Sequence, residues 1–160
     1  MVGCGASQAQ GNAVPPTATP TTATATATAS PGTLSVAAAA VAYLADVAPD
    51  NAALNTFEPV ASAWTDATTD AQMAAAAQPV IQADAVFEQA LETTDWPLVA
   101  AADVRSLASS MAQIDAGLET LGSVNALNIG TWEQSFAQAW SQSGVDANEV
   151  RHDLGLPPAS

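Results

Sequence analysis

The chain has 160 residues, with 16 acidic side chains, two arginines, no lysine, one histidine and one cysteine, for a formal net charge of -14. Phosphate backbones need clustered cations, so this balance argues against nucleic acid as a partner. A lone cysteine closes no internal disulfide, and with one histidine it assembles no zinc site. Alanine is the commonest residue and glycine numbers only 9, which favours helix over sheet in a single domain.

Charge divides the chain. Every acid and arginine lies between Asp46 and Asp153, and residues 1–45 carry none. Residues 6–33 form a Thr/Ala/Pro tract, with Pro15, Pro16 and Pro20 leading into a Thr-Ala alternation that stops at Ser30-Pro31-Gly32. Alternation at period two can mark a strand. Alanine methyls bury too little to offset the entropy of ordering the chain, and the prolines remove backbone donors. The tract therefore reads as a disordered, partly polyproline-II tether, reaching roughly 30 Å as a coil and about 90 Å when stretched. A Ser/Thr-rich tract with proline is also a substrate for O-glycosylation if exported.

From Leu34 the apolar spacing turns helical. The first segment gives Leu34, Ala37, Val41, Leu44 and Ala48, then Leu54, Phe57, Ala61 and Trp64. Pro49 and Pro59 fall inside it and Pro79 inside the next, so breaks or kinks are expected there. Thr69-Asp70-Ala71-Gln72 is a capping box opening a second helix with the stripe Met73, Ala76, Val80, Ala83, Phe87 and Leu91. Thr94 or Asp95 is the expected cap of a third, with Trp96 and Pro97 in its first turn. Its stripe is Ala100, Val104, Leu107, Met111, Ile114, Leu118 and Leu121, and Gly122 stops it. A fourth helix is expected from the Thr131 cap to Gly144, carrying Phe136 and Trp140. A last short one follows from Asp146 to Leu154, with a stop at Gly155-Leu156-Pro157.

The fold class that follows is all-α. An up-down bundle of about four main helices, the last leg split, occupies residues 34–160 behind the disordered tether. Its alanine-rich core buries little area per residue, so modest stability is expected. In this topology Trp64 and Trp132 fall near one end and Trp96 and Trp140 near the other. Each serves as an end plug of the core or, alternatively, as a wall for a ligand.

Candidate chemistry is sparse. Glu149-x-x-His152 has the spacing used on di-iron bundle helices, but such a site needs a second copy and further glutamates, so a solvated histidine is expected. Asp66 and Asp70 flank a turn without the loop of a calcium hand. Asp84 lies beside the second helix's stripe and is expected to pair with Arg105 or Arg151. With two cations against 16 acids, both arginines read as structural. No nucleophile and base can be nominated together, and no phosphate-binding glycine loop is present, so the chain reads as a non-enzyme with no cofactor and no metal.

Met1-Val2-Gly3-Cys4 resembles the end of a bacterial lipobox. Val2 and Gly3 match the small residues before the lipidated cysteine, Met1 stands in the leucine slot, and the only cysteine lies here ahead of a flexible tether. Residues 1–5 are then a lipobox remnant, with translation expected to begin upstream, since no charged and apolar signal regions precede the motif. The composition is similar to that of small helical lipoproteins of high-GC Gram-positive bacteria, and Asp153 to Pro158 looks like a terminal signature among them. No activity comes with that resemblance. It implies acylation of Cys4 and placement on the outer face of the cell membrane; a true start at Met1 would instead mean the cytoplasm. The acidic domain would then be a structural or interaction module for an envelope protein or wall component. The alternative is a carrier or sensor of a small apolar ligand held between the alanine-rich helices and tryptophans.

Overall fold

The computed structural model describes residues 32–65, 67–124 and 129–159. Cys4 and the tether through residue 31 lie outside the described residues, as does Asp66. The described chain is an all-α four-helix bundle: α1 (Val36–Ser62), α2 (Asp70–Thr93), α3 (Ala101–Glu119), a 3-10 turn (Thr120–Ser123) and α4 (Ile129–Asp153).

Helix α1 starts where Ser35 accepts the Ala38 amide at 3.2 Å, a side-chain N-cap. Pro49 and Pro59 break nothing: α1 runs through both, and α2 runs through Pro79. The reason lies in placement. The prolines leave the carbonyls of Ala45, Asn55 and Ala75 without their i+4 amides, and all six residues are exposed. Water can satisfy each freed carbonyl there.

The capping box of α2 forms as the sequence predicts. Gln72 N–H donates to Thr69 Oγ1 at 3.3 Å, and Thr69 N–H donates to Gln72 Oε1 at 2.9 Å. The third helix starts later than expected, at Ala101. Pro97 restricts Trp96 to extended backbone. Trp96 then folds back on α2, its indole Nε1–H donating to the Leu91 carbonyl at 2.8 Å. Gly122 lies inside the 3-10 turn after α3 rather than in a left-handed cap.

The last leg is not split. Helix α4 passes through Gly144 and Asp146. Gly144 keeps a negative φ, and its carbonyl accepts from Asn148 Nδ2 at 2.9 Å. Asp146 accepts Gln142 Nε2 at 2.8 Å from the preceding turn instead of capping a new helix. The C-terminal stop is a complete Schellman motif. Leu156 N–H donates to the Arg151 carbonyl at 2.8 Å and Gly155 N–H to that of His152 at 3.0 Å, with Gly155 at φ +70.

The helices run up and down in sequence order, with interfaces α1–α2, α2–α3 and α3–α4; α1 and α4 share no comparable interface among the described residues. The core divides into two apolar clusters. One, at the α1 N-terminal end, gathers Tyr43, Phe87, Leu91, Trp96, Val104, Leu107, Val150 and Leu154. The other, at the α1 C-terminal end, gathers Ala77, Val80, Ile114, Leu118, Leu121 and Ala139, flanked by Phe57, Trp64, Trp132 and Phe136.

The α3 stripe is buried as the spacing predicts, from Ala100 to Leu121. The first half of α1 is not. Val41 is 71% exposed and Leu44 is exposed too, while Ala39, Tyr43 and Asp50 are buried. Apart from Asp46 that half is apolar all round, so periodicity selects no face.

Candidate functional site

Between the two apolar clusters, at the waist of the bundle, lies a cavity of about 310 Å³. It occupies the seam that α1 and α4 leave open. Helix α1 contributes Tyr43, Val47, Asp50, Asn51 and Leu54, all on one face by their i, i+4, i+7 spacing. Helix α2 contributes Asp84 and Phe87, α3 contributes Leu107, Met111 and Ile114, and α4 contributes Trp140, Ser143, Gly144, Ala147 and Arg151. Asn51, Trp140, Gly144 and Ala159 are exposed, so the cavity opens to solvent on the seam side.

The waist is acidic inside. Asp50 is 6% exposed and Asp84 is 3% exposed, both on positions where the helical repeat calls for apolar side chains. The Asp84 carboxyl contacts Asp50 on α1 and Asp115 on α3. Its pKa is driven far above the ordinary carboxylate range, first by burial and then by the Asp50 and Asp115 carboxyls. At neutral pH Asp84 therefore holds its proton, with one O–H to offer to the two neighbours. Asp115 is raised by burial above all and by the charges of Glu119 and Asp50, against a lowering bond from Asp84. Glu88, one turn on, is raised by burial and then by Asp115 and Glu92. Three carboxylate oxygens here are buried without a hydrogen-bond partner: Asp50 Oδ1, Glu88 Oε1 and Asp115 Oδ1. Each is a costly arrangement in a folded protein. Of these, Asp50 belongs to a side chain that lines the cavity. Tyr43 is pushed up to about 12, by burial chiefly, with Arg151 acting against it and Asp50 with it.

The expected pairing of Asp84 with an arginine does not form. Arg105 Nε donates to the Ala101 carbonyl at 3.0 Å, and Arg151 Nε donates to the Pro157 carbonyl at 2.6 Å. Among the described residues one ion pair stands, His152 Nδ1 to Asp153 Oδ1 at 3.5 Å on the surface. The waist pairs acid with acid, because each of the three inner faces carries a carboxyl at the same level.

The tryptophans separate by role. Trp96 is buried against Tyr43 at the first end, edge to face at 6.5 Å between centroids. Trp64 meets Phe57 edge to face at 5.7 Å. Trp132 donates its Nε1–H to the Gly117 carbonyl at 2.9 Å and stacks on Phe136 at 4.9 Å. Both belong to the second end, as the up-down order predicts. Trp140 departs from that order. It stacks on Phe136 at 5.9 Å, is 38% exposed, and borders the waist cavity rather than plugging the Trp96 end.

The Glu149-x-x-His152 pair faces solvent, with the His152 side chain 88% exposed. Asp70 is exposed in the first turn of α2. Among the described residues no three His, Cys, Asp or Glu side chains converge to hold a metal ion, and no helix is long and apolar enough to cross a membrane. Asp50, Asp115 and Tyr43 were not singled out by sequence reasoning. The available signal was the spacing Tyr43, Val47, Asp50, Leu54, a helical stripe with an acid in it.

Compared with protein-family models, curated proteins and solved structures, the chain matches none.

Proposed function

We propose that this protein is a lipid-anchored envelope protein, attached through acylated Cys4, whose bundle holds a small molecule in the α1–α4 seam. The observation that carries the binding role is the waist cavity of about 310 Å³, reachable from solvent and walled by Tyr43, Phe87, Met111 and Trp140. That volume is at the small end of ligand sites, and apolar walls with a few convergent polar groups are their common composition. Binding is favoured over catalysis because the one histidine projects into solvent outside the cavity lining. The lipobox-like Met1-Val2-Gly3-Cys4 and the uncharged tract after it support the anchor. A single acyl chain holds a protein at a membrane only marginally, so diacylglyceryl modification with a further chain is the form proposed.

Two measurements test the two halves separately. The neutral solvatochromic dye prodan, titrated into the full chain, should blue-shift and saturate at one equivalent. Ala147→Phe, which fills the cavity, should abolish the shift; an unsaturable or unaltered response removes the binding role. For the anchor, intact mass of protein from membranes of its own host should show Cys4 as the first residue, carrying diacylglycerol. An unmodified chain in the soluble fraction removes the anchor.

A further inference from the structure

Asp50 lines the waist cavity, and no N–H of the protein reaches its buried Oδ1. A ligand that occupies the cavity meets that carboxyl and can place a donor on it. Among the described residues neither arginine comes within ion-pair distance of Asp50 or Asp84. The remaining walls are apolar or aromatic, with Tyr43, Phe87 and Trp140 among them. Such rings attract an organic cation through their faces as well as packing on its hydrocarbon.

Resting on the cavity-binding reading above, we propose that the seam cavity takes a monoammonium ligand: its N–H groups donate to Asp50 beside Asp84, and its apolar body lies against the aromatic walls. The geometry also sets an upper limit on charge. Arg151 lines the same cavity about two helical turns along α4 from Ser143. It stands at the level of Tyr43, whose hydroxyl feels its field. A second ammonium at the far end of the ligand would meet that guanidinium, so a monoamine fits and a diamine does not. Charge-assisted donation into a buried carboxylate is about twice as strong as a neutral hydrogen bond, which gives the site a basis for rejecting the alcohol of the same shape.

The test is calorimetric titration of the full chain with 2-phenylethylamine, 2-phenylethanol, 3-phenylpropionate and 1,6-diaminohexane. Salt at about 0.5 M suppresses general attraction of amines to the acidic surface. The monoamine should bind at least about tenfold more tightly than the alcohol, which corresponds to about 1.4 kcal/mol. The carboxylate should not bind, and the diamine should bind more weakly than the monoamine. Asp50→Asn should bring the amine down to the level of the alcohol.

Alcohol binding as tight as amine binding overturns the ammonium assignment and leaves the cavity reading standing. A diamine as tight as the monoamine overturns the limit set by Arg151. An amine preference that survives in a folded Asp50→Asn chain overturns the role of Asp50. Silence from all four ligands while prodan still binds overturns the ligand class alone. Silence from prodan as well removes both readings. Should Asp50→Asn fail to fold, the comparison of isosteres on the native chain decides.

Discussion

The Trp96 end and the waist are built from the same helices one or two turns apart, yet they follow opposite rules. At the end, Tyr43 meets Phe87 edge to face at 5.8 Å and Trp96 at 6.5 Å. The Trp96 indole N–H is bonded, and the Leu34 amide donates to the Asp95 carbonyl at 2.8 Å, tying the entry of α1 to the α2–α3 connection. Apolar area is buried there and the polar handle of Trp96 finds a partner. At the waist, the same inward faces present Asp50, Asp84 and Asp115, and the first two line an open space. The ends supply the burial that fixes the register of the helices. The waist spends part of that stability on an arrangement that folding alone does not reward, and rule-breaking of this kind marks functional sites.

The comparison breaks most directly at the end. Trp96→Ala removes a buried indole, its ring contact with Tyr43 and its bond to the Leu91 carbonyl. Phe/Trp→Ala changes in cores cost about 3–5 kcal/mol. In a core this rich in alanine, that is a large share of the total, so the urea midpoint should fall sharply and prodan binding should weaken with it. A fall of less than about 1 kcal/mol would mean the end does not set the register.

The waist should sharpen the contrast through pH. Asp84 keeps its proton in the folded chain and loses it in the unfolded chain above the ordinary carboxylate value of 3.8. The stabilising share is full below that value and is lost as pH rises toward the raised folded value. The loss is up to about 1.4 kcal/mol per pH unit for one group. Glu88 and Asp115 are shifted in the same direction. The groups facing Asp84 are Asp50 from α1 and Asp115 from α3, with Glu88 next to it on α2 and the cation Arg151 across the cavity on α4. The melting temperature should therefore be higher at about pH 5 than at about pH 8, and Asp84→Asn should flatten the slope. A melting temperature that rises over this interval contradicts the placement of these acids.

What was legible in the sequence follows from this division. The α3 stripe read correctly from Ala100 to Leu121 because large apolar residues recur along it at an unbroken helical spacing, even though Ser110 and Asp115 also turn inward. The capping box at Thr69 and the stop at Gly155 are local motifs whose partners lie within a few residues, so they too could be read. The inward face of α1 could not, because Val41 and Leu44 are as apolar as the residues that are buried. The prolines misled for a related reason: a proline costs a bond, but sequence does not show whether the freed carbonyl faces water. Asp84 was visible as an acid beside a stripe. Its partners were not, since pairing acid with acid runs against the expectation that a buried carboxyl meets an arginine.

The smallest effects give the finest contrast, because one substitution should have opposite signs in two places. Gly117 lies where α3 meets the second end, and a Cβ added there would sit 2.7 Å from Phe136 Cδ2. Phe136 is stacked between Trp132 and Trp140, at 4.9 and 5.9 Å, so the ring has little room to yield. Overpacking of about 1–3 kcal/mol should outweigh the gain of about 1 kcal/mol that alanine brings to a helix interior. Gly117→Ala should then destabilise by about 1 kcal/mol. Gly144 is also helical, but its added Cβ meets nothing within 4 Å. Gly144→Ala should stabilise by about 0.5–1 kcal/mol through reduced freedom of the unfolded chain. Denaturant titrations of the two variants side by side check both signs. Destabilisation at Gly144 would mean that α4 stops there after all, as its sequence first suggests, and the seam residues beyond it would then have no common helix to hold them against the waist.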